Sequence, residues 1–265
     1  LGTGAMSPGV AGLSVGTSGA LRMVVGQPWV DPQGTLFCYA LTADAWVLGG
    51  AISNGGSVVR WAGDVFGVDS GQAGPQDERV LAMAQSVPPG SDGLVMLPYL
   101  MAERAPLWDP DLPGAYLGLR GRHTRAHFVR AAVEGVGLQL ATIVRELERI
   151  QPVVQIRATG GVFRSALWRE ALAGCLARPL IVVGGAEGSA LGAATLGLVA
   201  IGRADSLENG LSQLSVETEG DVPAVVASPE DVRTYETLRA SLPALVDALG
   251  AVATVMTADP PSDAH

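Results

Sequence analysis

The stretch LSVGTSGALRMVV, residues 13–25, decides the predicted fold. It places the polar tetrapeptide Gly16-Thr17-Ser18-Gly19 between two short apolar runs. Two such runs separated by a short glycine-containing turn are typical of a β-hairpin. A hairpin turn needs only about two residues, so the extra polar positions indicate a loop that holds a ligand. Glycine lets backbone N–H groups approach an anion closely, and the two hydroxyls add further donors.

The composition is that of a globular α/β protein. The 265 residues, 48% of them hydrophobic and 35 of them glycine, suffice for one large or two small domains with a buried core. All 17 basic residues are arginine. Without lysine the chain has neither a P-loop signature nor a residue for Schiff-base chemistry. The net charge of −9 argues against a nucleic-acid partner, because protein surfaces that bind nucleic acid cluster positive charge against the phosphates.

No membrane span and no targeting segment are predicted. Apolar stretches are interrupted by Gly, Pro or charge before the ~18 residues that a span requires, although the mean hydropathy is +0.31. The N-terminal residues lack the basic region and apolar run of a signal peptide. Cys38 and Cys175 stand far apart, which favours reduced core thiols over a disulfide. We therefore expect a cytoplasmic protein.

Two more glycine-bearing turns point to the same chemistry as the first. Gly49-Gly50 and the segment Asn54-Gly55-Gly56-Ser57 precede a helix predicted over residues 53–67, and helix N-termini favour anions. Gly160-Gly161 follows a strand with Val153, Val154 and Ile156, predicted to be buried on both faces. Turns after such strands form the ligand crevice of α/β sheets. Each turn alone could be a packing site; together they predict a nucleotide held by backbone groups and hydroxyls.

The other predicted elements complete an α/β layout. An apolar stripe with helical spacing, running from Val129 to Leu147 behind Thr124 as N-cap, predicts a long packed helix. The cluster Arg120, Arg122, Arg125 and Arg130 is interpreted as the solvated start of that helix. The remaining expectations are an extended segment at 35–46, a helix at 77–85, a strand at 93–100, a loop at 101–119, a helix and then a strand after the Gly160-Gly161 turn, a helix at 186–201, a last helix after Ser228, and a disordered tail at 259–265.

His123 and His127 are four residues apart at the start of the long helix. The pair lacks the glutamate of a zinc-protease helix, and a single pair of imidazoles is an incomplete metal site. We therefore interpret these histidines as capping or packing residues, and predict no metal ligands in the chain.

A further motif gives a specific resemblance. Gly114, Tyr116, Gly118 and Leu119 are followed by His127-Phe128 and by Ala131-Ala132-Val133-Glu134. This pattern resembles the second signature of the FGGY family of carbohydrate kinases, which belongs to the actin-like ATPase superfamily. The segments GLSVGTSGALR, TGGVFRSALWREALAGCLARPL and EGSALGAATLGLVAIG are similar to the phosphate hairpin, the adenosine-binding turn and the next helix of that family. The stretch AERAPLWDPDLPGAYLGL is most similar to gluconate kinases, because xylulose kinases usually carry Thr and His in place of Ala105 and Leu107.

The resemblance implies an α/β, actin-like ATPase (ribonuclease H-like) domain over residues 1–258, with a mixed sheet flanked by helices. It also implies Mg²⁺ and ATP, with transfer of the γ-phosphate to a sugar or sugar acid, gluconate first of all. Thr17, with Gly16 and Ser18, would contact the β- and γ-phosphates. Gly55 would lie against the phosphate chain. Gly160, Gly161 and Ser165 would bracket the adenosine.

Relatives of this family carry a first, sugar-binding domain and a Gly-Asp-Gly segment that supplies the catalytic base. In this sequence the matching positions would precede Leu1, so we expect no catalytic base within these residues and little activity from them alone. Several alternatives stay open: a xylulose or glycerol kinase, an actin- or chaperone-like ATPase, a nucleotide-binding module without activity, and a homodimer.

Overall fold

The computed structural model describes residues 1–66, 76–184, 188–214 and 223–257. The strands are β1 (Val10–Val15), β2 (Gly19–Val25), β3 (Phe37–Ala40), β4 (Trp46–Ile52), β5 (Val95–Leu97), β6 (Ala115–Leu117), β7 (Gln155–Thr159) and β8 (Leu180–Val182). The main sheet has six strands in the order β3-β4-β2-β1-β7-β8, and a two-stranded sheet pairs β5 with β6. The helices are α1 (Gly56–Phe66), α2 (Gln76–Gln85), α3 (Arg125–Glu148), α4 (Ala166–Leu176), α5 (Gly188–Ala200), α6 (Leu207–Leu214) and α7 (Pro229–Thr257).

The strand directions bring four carboxyl ends to one edge of the sheet. β1 runs antiparallel to β2, and β2 runs antiparallel to β4. β7 is parallel to β1 and β8 is parallel to β7. β1, β4, β7 and β8 therefore all end at the same edge, where an α/β sheet binds its ligands. The predicted mixed sheet flanked by helices is confirmed, and the predicted hairpin is β1-β2.

The predicted long helix is α3, and its apolar stripe forms the centre of the core. α1, α2 and α4 pack against it. Because one apolar face meets the sheet and the neighbouring helices together, this helix fixes the layers on which the site rests. The stripe residues Val129, Val133, Val136, Leu140, Ile143 and Leu147 are all fully buried.

The glycine pair Gly49-Gly50 was predicted as a turn, and this prediction is wrong. Both residues lie inside strand β4. A Cβ on Gly49 would stand 2.3 Å from the carbonyl oxygen of Leu21, and one on Gly50 would stand 2.9 Å from Ile143. The pair is therefore a place where the strand passes close to β2 and α3. Helix α1 begins at Gly56 and not, as was predicted, at residue 53.

Three smaller expectations also need correction. β7 begins after Val154, which is 59% exposed, and its residues alternate in burial instead of being buried on both faces. Strand β6 lies in the segment expected to be a loop, and α6 was not predicted. Arg130 is buried beside Glu134 and is not part of the solvated helix start. The predicted tail at 259–265 lies outside the described residues.

Helix α7 is long and apolar enough, by length and composition, to cross a membrane. This departs from the expectation that no stretch would reach that length. Length and composition alone indicate a span only weakly, because core helices of soluble proteins share them. Here the first half of the helix packs on the domain: Tyr235 and Leu242 are buried, in contact with elements α3 and α4. Ser228 caps the helix as predicted, accepting a bond from Asp231 N at 3.1 Å.

Candidate nucleotide-binding site

The turn between β1 and β2 is docked onto the start of helix α1. The carbonyl of Gly16 accepts a hydrogen bond from Gly56 N at 2.7 Å, and the carbonyl of Thr17 accepts one from Gly55 N at 3.1 Å. Ser57 Oγ also donates to the Thr17 carbonyl, at 2.9 Å. Because carbonyl groups make these bonds, the side chains of the turn remain available to a ligand.

The third turn, Gly160-Gly161, meets the β1-β2 hairpin through Gly160. A Cβ at this position would stand 2.0 Å from the carbonyl oxygen of Val15, and the residue has a φ of +126°. Only glycine fits both the close approach and this backbone conformation. The turn after β7 is therefore pressed against the end of β1, directly beside the first hairpin.

The three turns line one cavity of about 720 Å³, within the range of about 300–1,000 Å³ that is usual for small-molecule sites. Of the residues predicted for the site, Gly16, Thr17, Gly161 and Ser165 line this cavity directly. The other three predicted residues lie just behind its wall.

Those three residues hold the turns together. Ser18 O accepts a bond from Gly16 N at 2.8 Å. Gly55 packs so closely that a Cβ would stand 2.7 Å from Ser18 C. Gly160 meets Val15, as described above. The structure thus brings all seven predicted residues to one site but separates those that face the cavity from those that shape it.

Three hydroxyls at the site have no hydrogen-bond partner among the described residues: those of Thr17, Ser18 and Ser165. Ser165 occupies the N-cap position of α4 without using its side chain to cap the helix. Thr17 and Ser165 line the cavity, and polar groups at a cavity wall that bind nothing in the protein can bind a polar ligand. The N–H groups at the start of α1 already donate to carbonyls of the hairpin and of Gly55, but the positive end of the helix dipole lies beside the hairpin and its first turn carries no acidic residue that would oppose an anion,.

Sequence reasoning missed the opposite wall of the cavity. Helix α2 contributes Glu78, Leu81 and Gln85. The helix itself was predicted, but its position over the hairpin depends on packing against α1 and α3, which no local pattern reveals.

The cavity also has two cations that the sequence did not single out, Arg60 and Arg164. Neither forms an ion pair with a carboxylate of the described residues. The guanidinium of Arg164 lies 3.5 Å from the place that a Cβ of Gly161 would occupy. In a chain without lysine, these arginines are suited to phosphate oxygens. The absence of lysine had indicated only a nucleotide held by backbone groups and hydroxyls, and no sequence pattern pointed to these two arginines.

A buried carboxylate supports the segment before α1. Glu103, 3% exposed, accepts hydrogen bonds from Ser53 N at 2.9 Å and from Asn54 Nδ2 at 2.6 Å. Asn54 in turn binds both backbone groups of Met101 at 2.9 Å. Burial, and then the charge of Glu103, raise the pKa of the Tyr99 phenol, which stays neutral. This network fixes the path of Ser53–Gly55 beneath the hairpin.

The histidine pair has a structural role, as predicted. His127 Nδ1 accepts a bond from Thr124 N at 3.1 Å, and its Nε2 lies 3.0 Å from Asp92 Oδ2. His127 therefore caps α3 and ties it to the turn at residues 90–93. Within the described ranges, no three residues of His, Cys, Asp or Glu come together as a metal site.

The motif residues Gly114–Glu134 lie away from the cavity. Tyr116 OH donates to the carbonyl of Phe128 at 3.0 Å. Glu134 accepts bonds from Gly90 N, Ser91 Oγ, Arg130 Nε and Tyr235 OH at 2.8–3.0 Å. These residues join α3 to its neighbours and do not contact the candidate ligand site.

A mixed sheet of this order, with a cavity at the carboxyl ends of its parallel strands, defines an actin-like ATPase domain. Residues 11–201 match the C-terminal domain of the FGGY family of carbohydrate kinases. The chain belongs to this family.

Named relatives of the chain are also carbohydrate kinases. The chain is 43% identical over 215 residues to the gluconokinases of Bacillus licheniformis and Bacillus subtilis, a match that covers 78% of this chain and 42% of theirs. The structure resembles gluconate kinase from Lactobacillus acidophilus with a TM-score of 0.86 and 30% identity, over 97% of this chain and 50% of that one. Xylulose kinase from Escherichia coli is 32% identical over 222 residues. The chain thus spans half or less of the length of these relatives.

Proposed function

We propose that this chain is the ATP-binding part of a kinase that transfers the γ-phosphate of ATP to a hydroxyl of gluconate, giving 6-phosphogluconate. The observation that carries the proposal is the cavity that unites the three glycine turns with two unpartnered hydroxyls, those of Thr17 and Ser165. Gluconokinases are 43% identical to the chain, against 32% for a xylulose kinase and 30% for a glycerol kinase. This difference favours gluconate as the acceptor.

The residues fit a nucleotide in a definite orientation. In this proposal Thr17 and Ser18, beside the N-terminus of α1, bind the phosphates, and Gly161 and Ser165 bind the nucleoside. The chain of phosphates would then run from the Gly160 turn towards the hairpin. Mg²⁺ binds largely through phosphate oxygens and water in such enzymes, which needs few protein ligands. The metal would neutralise charge on the phosphates during transfer.

The acceptor site and the general base belong, in this proposal, to the part of a complete enzyme that these residues do not contain. A general base must lie within about 2.6–3.2 Å of the hydroxyl that it deprotonates, directly or through one water. Alignment of the hydroxyl with the γ-phosphate also requires a second surface opposite the hairpin, and positioning of this kind contributes roughly 7–11 kcal/mol in favourable systems.

A two-part experiment tests the proposal. First, calorimetric titration of the chain with Mg-ATP should show binding. The absence of both heat and a thermal shift at millimolar ATP would contradict the proposal. Second, ADP release is measured with gluconate, xylulose and glycerol, for the chain alone and for the chain joined to its native N-terminal half. Gluconate-dependent release by the joined protein alone is expected. ADP release with xylulose or glycerol instead would support a kinase but contradict gluconate as its acceptor. Rapid turnover by the chain alone would contradict the proposal that a second part of the enzyme supplies the base and the acceptor site.

A further inference from the structure

Arg104 stands out as a cation held in place without a counter-ion. Its Nη2 donates to the carbonyl of Ile52 at 2.7 Å, and its Nε lies 3.2 Å from Ser53 Oγ. Its backbone N donates to Glu103 Oε1 at 2.8 Å. The side chain is nevertheless exposed, and no carboxylate of the described residues lies within ion-pair distance of its guanidinium.

The neighbouring acid does not neutralise this charge by direct contact. Both oxygens of Glu103 are turned to other donors, namely the backbone N–H groups of Ser53 and Arg104 and the amide of Asn54. The same carboxylate fixes the loop from which Arg104 projects. The Nε and Nη2 edge of the guanidinium is therefore bonded to Ser53 and Ile52. The opposite edge, which carries Nη1, makes no hydrogen bond within the described residues. Such an edge matches the paired oxygens of a phosphate or carboxylate.

The position of Arg104 determines which part of a bound nucleotide it could contact. Ile52 pairs with Gly19, the residue that closes the hairpin turn, and adjacent strands lie about 4.8 Å apart. The guanidinium is therefore bonded to β4 at the position that pairs with Gly19, the residue after Ser18. It is not part of the cavity wall, which includes Gly16 and Thr17 but not Arg104. A nucleotide seated in the cavity would reach this side of the hairpin only with its terminal group.

We propose that Arg104 binds the terminal phosphate of ATP at the outer side of the hairpin and so makes the site prefer ATP over ADP. This inference rests on the proposed function, because it requires a nucleotide in the cavity. Ser53 is a positioning residue in this arrangement, since its hydroxyl accepts from Arg104 Nε and fixes the plane of the guanidinium.

The test is a comparison of Kd for Mg-ATP and Mg-ADP, measured by calorimetry on the full chain. Arg104→Gln should weaken ATP about tenfold or more, the range of a hydrogen bond to a charged group, and leave ADP within about twofold. Arg120→Gln is the matched control, because it removes the same charge from an exposed arginine remote from the cavity and should change neither Kd. Ser53→Ala should produce a smaller loss, again for ATP only.

Arg104→Lys separates charge from geometry. A lysine keeps the charge but lacks the fork, so it should recover part of the ATP affinity at most. It also serves if Arg104→Gln does not fold, as judged by circular dichroism. Equal losses for ATP and ADP, or no loss in any folded variant, would overturn the role of Arg104. Wild-type protein that binds neither nucleotide would instead overturn the nucleotide site itself.

Discussion

Replacement of Thr17 by alanine is the most direct test of the phosphate hairpin. The Thr17 hydroxyl has no hydrogen-bond partner among the described residues, while its carbonyl accepts three bonds that dock the turn onto α1. The substitution therefore removes the proposed ligand contact and leaves the docking intact. A hydrogen bond to a charged oxygen contributes about 1.5–3 kcal/mol, which corresponds to a loss of roughly 10- to 150-fold in affinity for ATP.

Calorimetry with ATP and adenosine measures this prediction for Thr17→Ala. Adenosine affinity should stay within about twofold of wild type, because the nucleoside is expected at Gly161 and Ser165. Thr17→Ser is the matched control, since it keeps the hydroxyl and should recover most of the ATP affinity. Equal losses for the two ligands, or a serine variant as weak as the alanine variant, would show that this hydroxyl does not bind phosphate.

Three further predictions concern the cavity, the core and pH. Gly161→Val should weaken adenosine and ATP alike, because a branched side chain there enters the cavity without a backbone clash; unchanged ATP affinity in a folded variant would place the nucleoside elsewhere. Tyr235→Phe should lower the free energy of unfolding in urea by about 1–3 kcal/mol, since it removes the 2.8 Å bond to buried Glu134, but should leave the Kd for ATP unchanged. Burial alone would raise the pKa of Asp31, but hydrogen bonds from Thr35, Gln33 and Leu36 outweigh it and lower the pKa from 3.8 to about 2. The stabilisation from Asp31 is therefore present above pH 3.8 and lost as the pH falls towards 2, and Asp31→Asn should lack that part of the pH dependence in acid-unfolding curves.

Local patterns predicted the hairpin, the long helix and the caps because the interactions that form them are close in sequence. The Thr124–His127 cap spans three residues, and the stripe of α3 repeats within one helix. The same reasoning singled out the seven candidate residues that the structure brings together, because each lies in a glycine turn at the end of a strand or the start of a helix. Here the information needed was contained in short segments.

The errors occurred where a residue's partner is distant in the chain. Gly49-Gly50 looks like a turn until Leu21 and Ile143 are placed beside it. Arg130 looks like a solvated helix residue until Tyr235, 105 positions away, completes its buried network. The far wall of the cavity was missed for the same reason, since helix α2 becomes part of the site only through its packing on α1 and α3.

The residues that identify the family and the residues that would perform the chemistry are separate in this structure. Tyr116, Gly118 and Glu134 connect β6, the turn at residues 90–93 and α7 to helix α3, and a Cβ on Gly118 would stand 2.3 Å from the carbonyl oxygen of Gly93. None of them lines the cavity. A chain could therefore keep this motif for the stability of its core and lose the ability to bind ATP through a change at Thr17 or Gly161. The kinase proposal accordingly depends on the three turns, and variants in the turns, not in the motif, decide it.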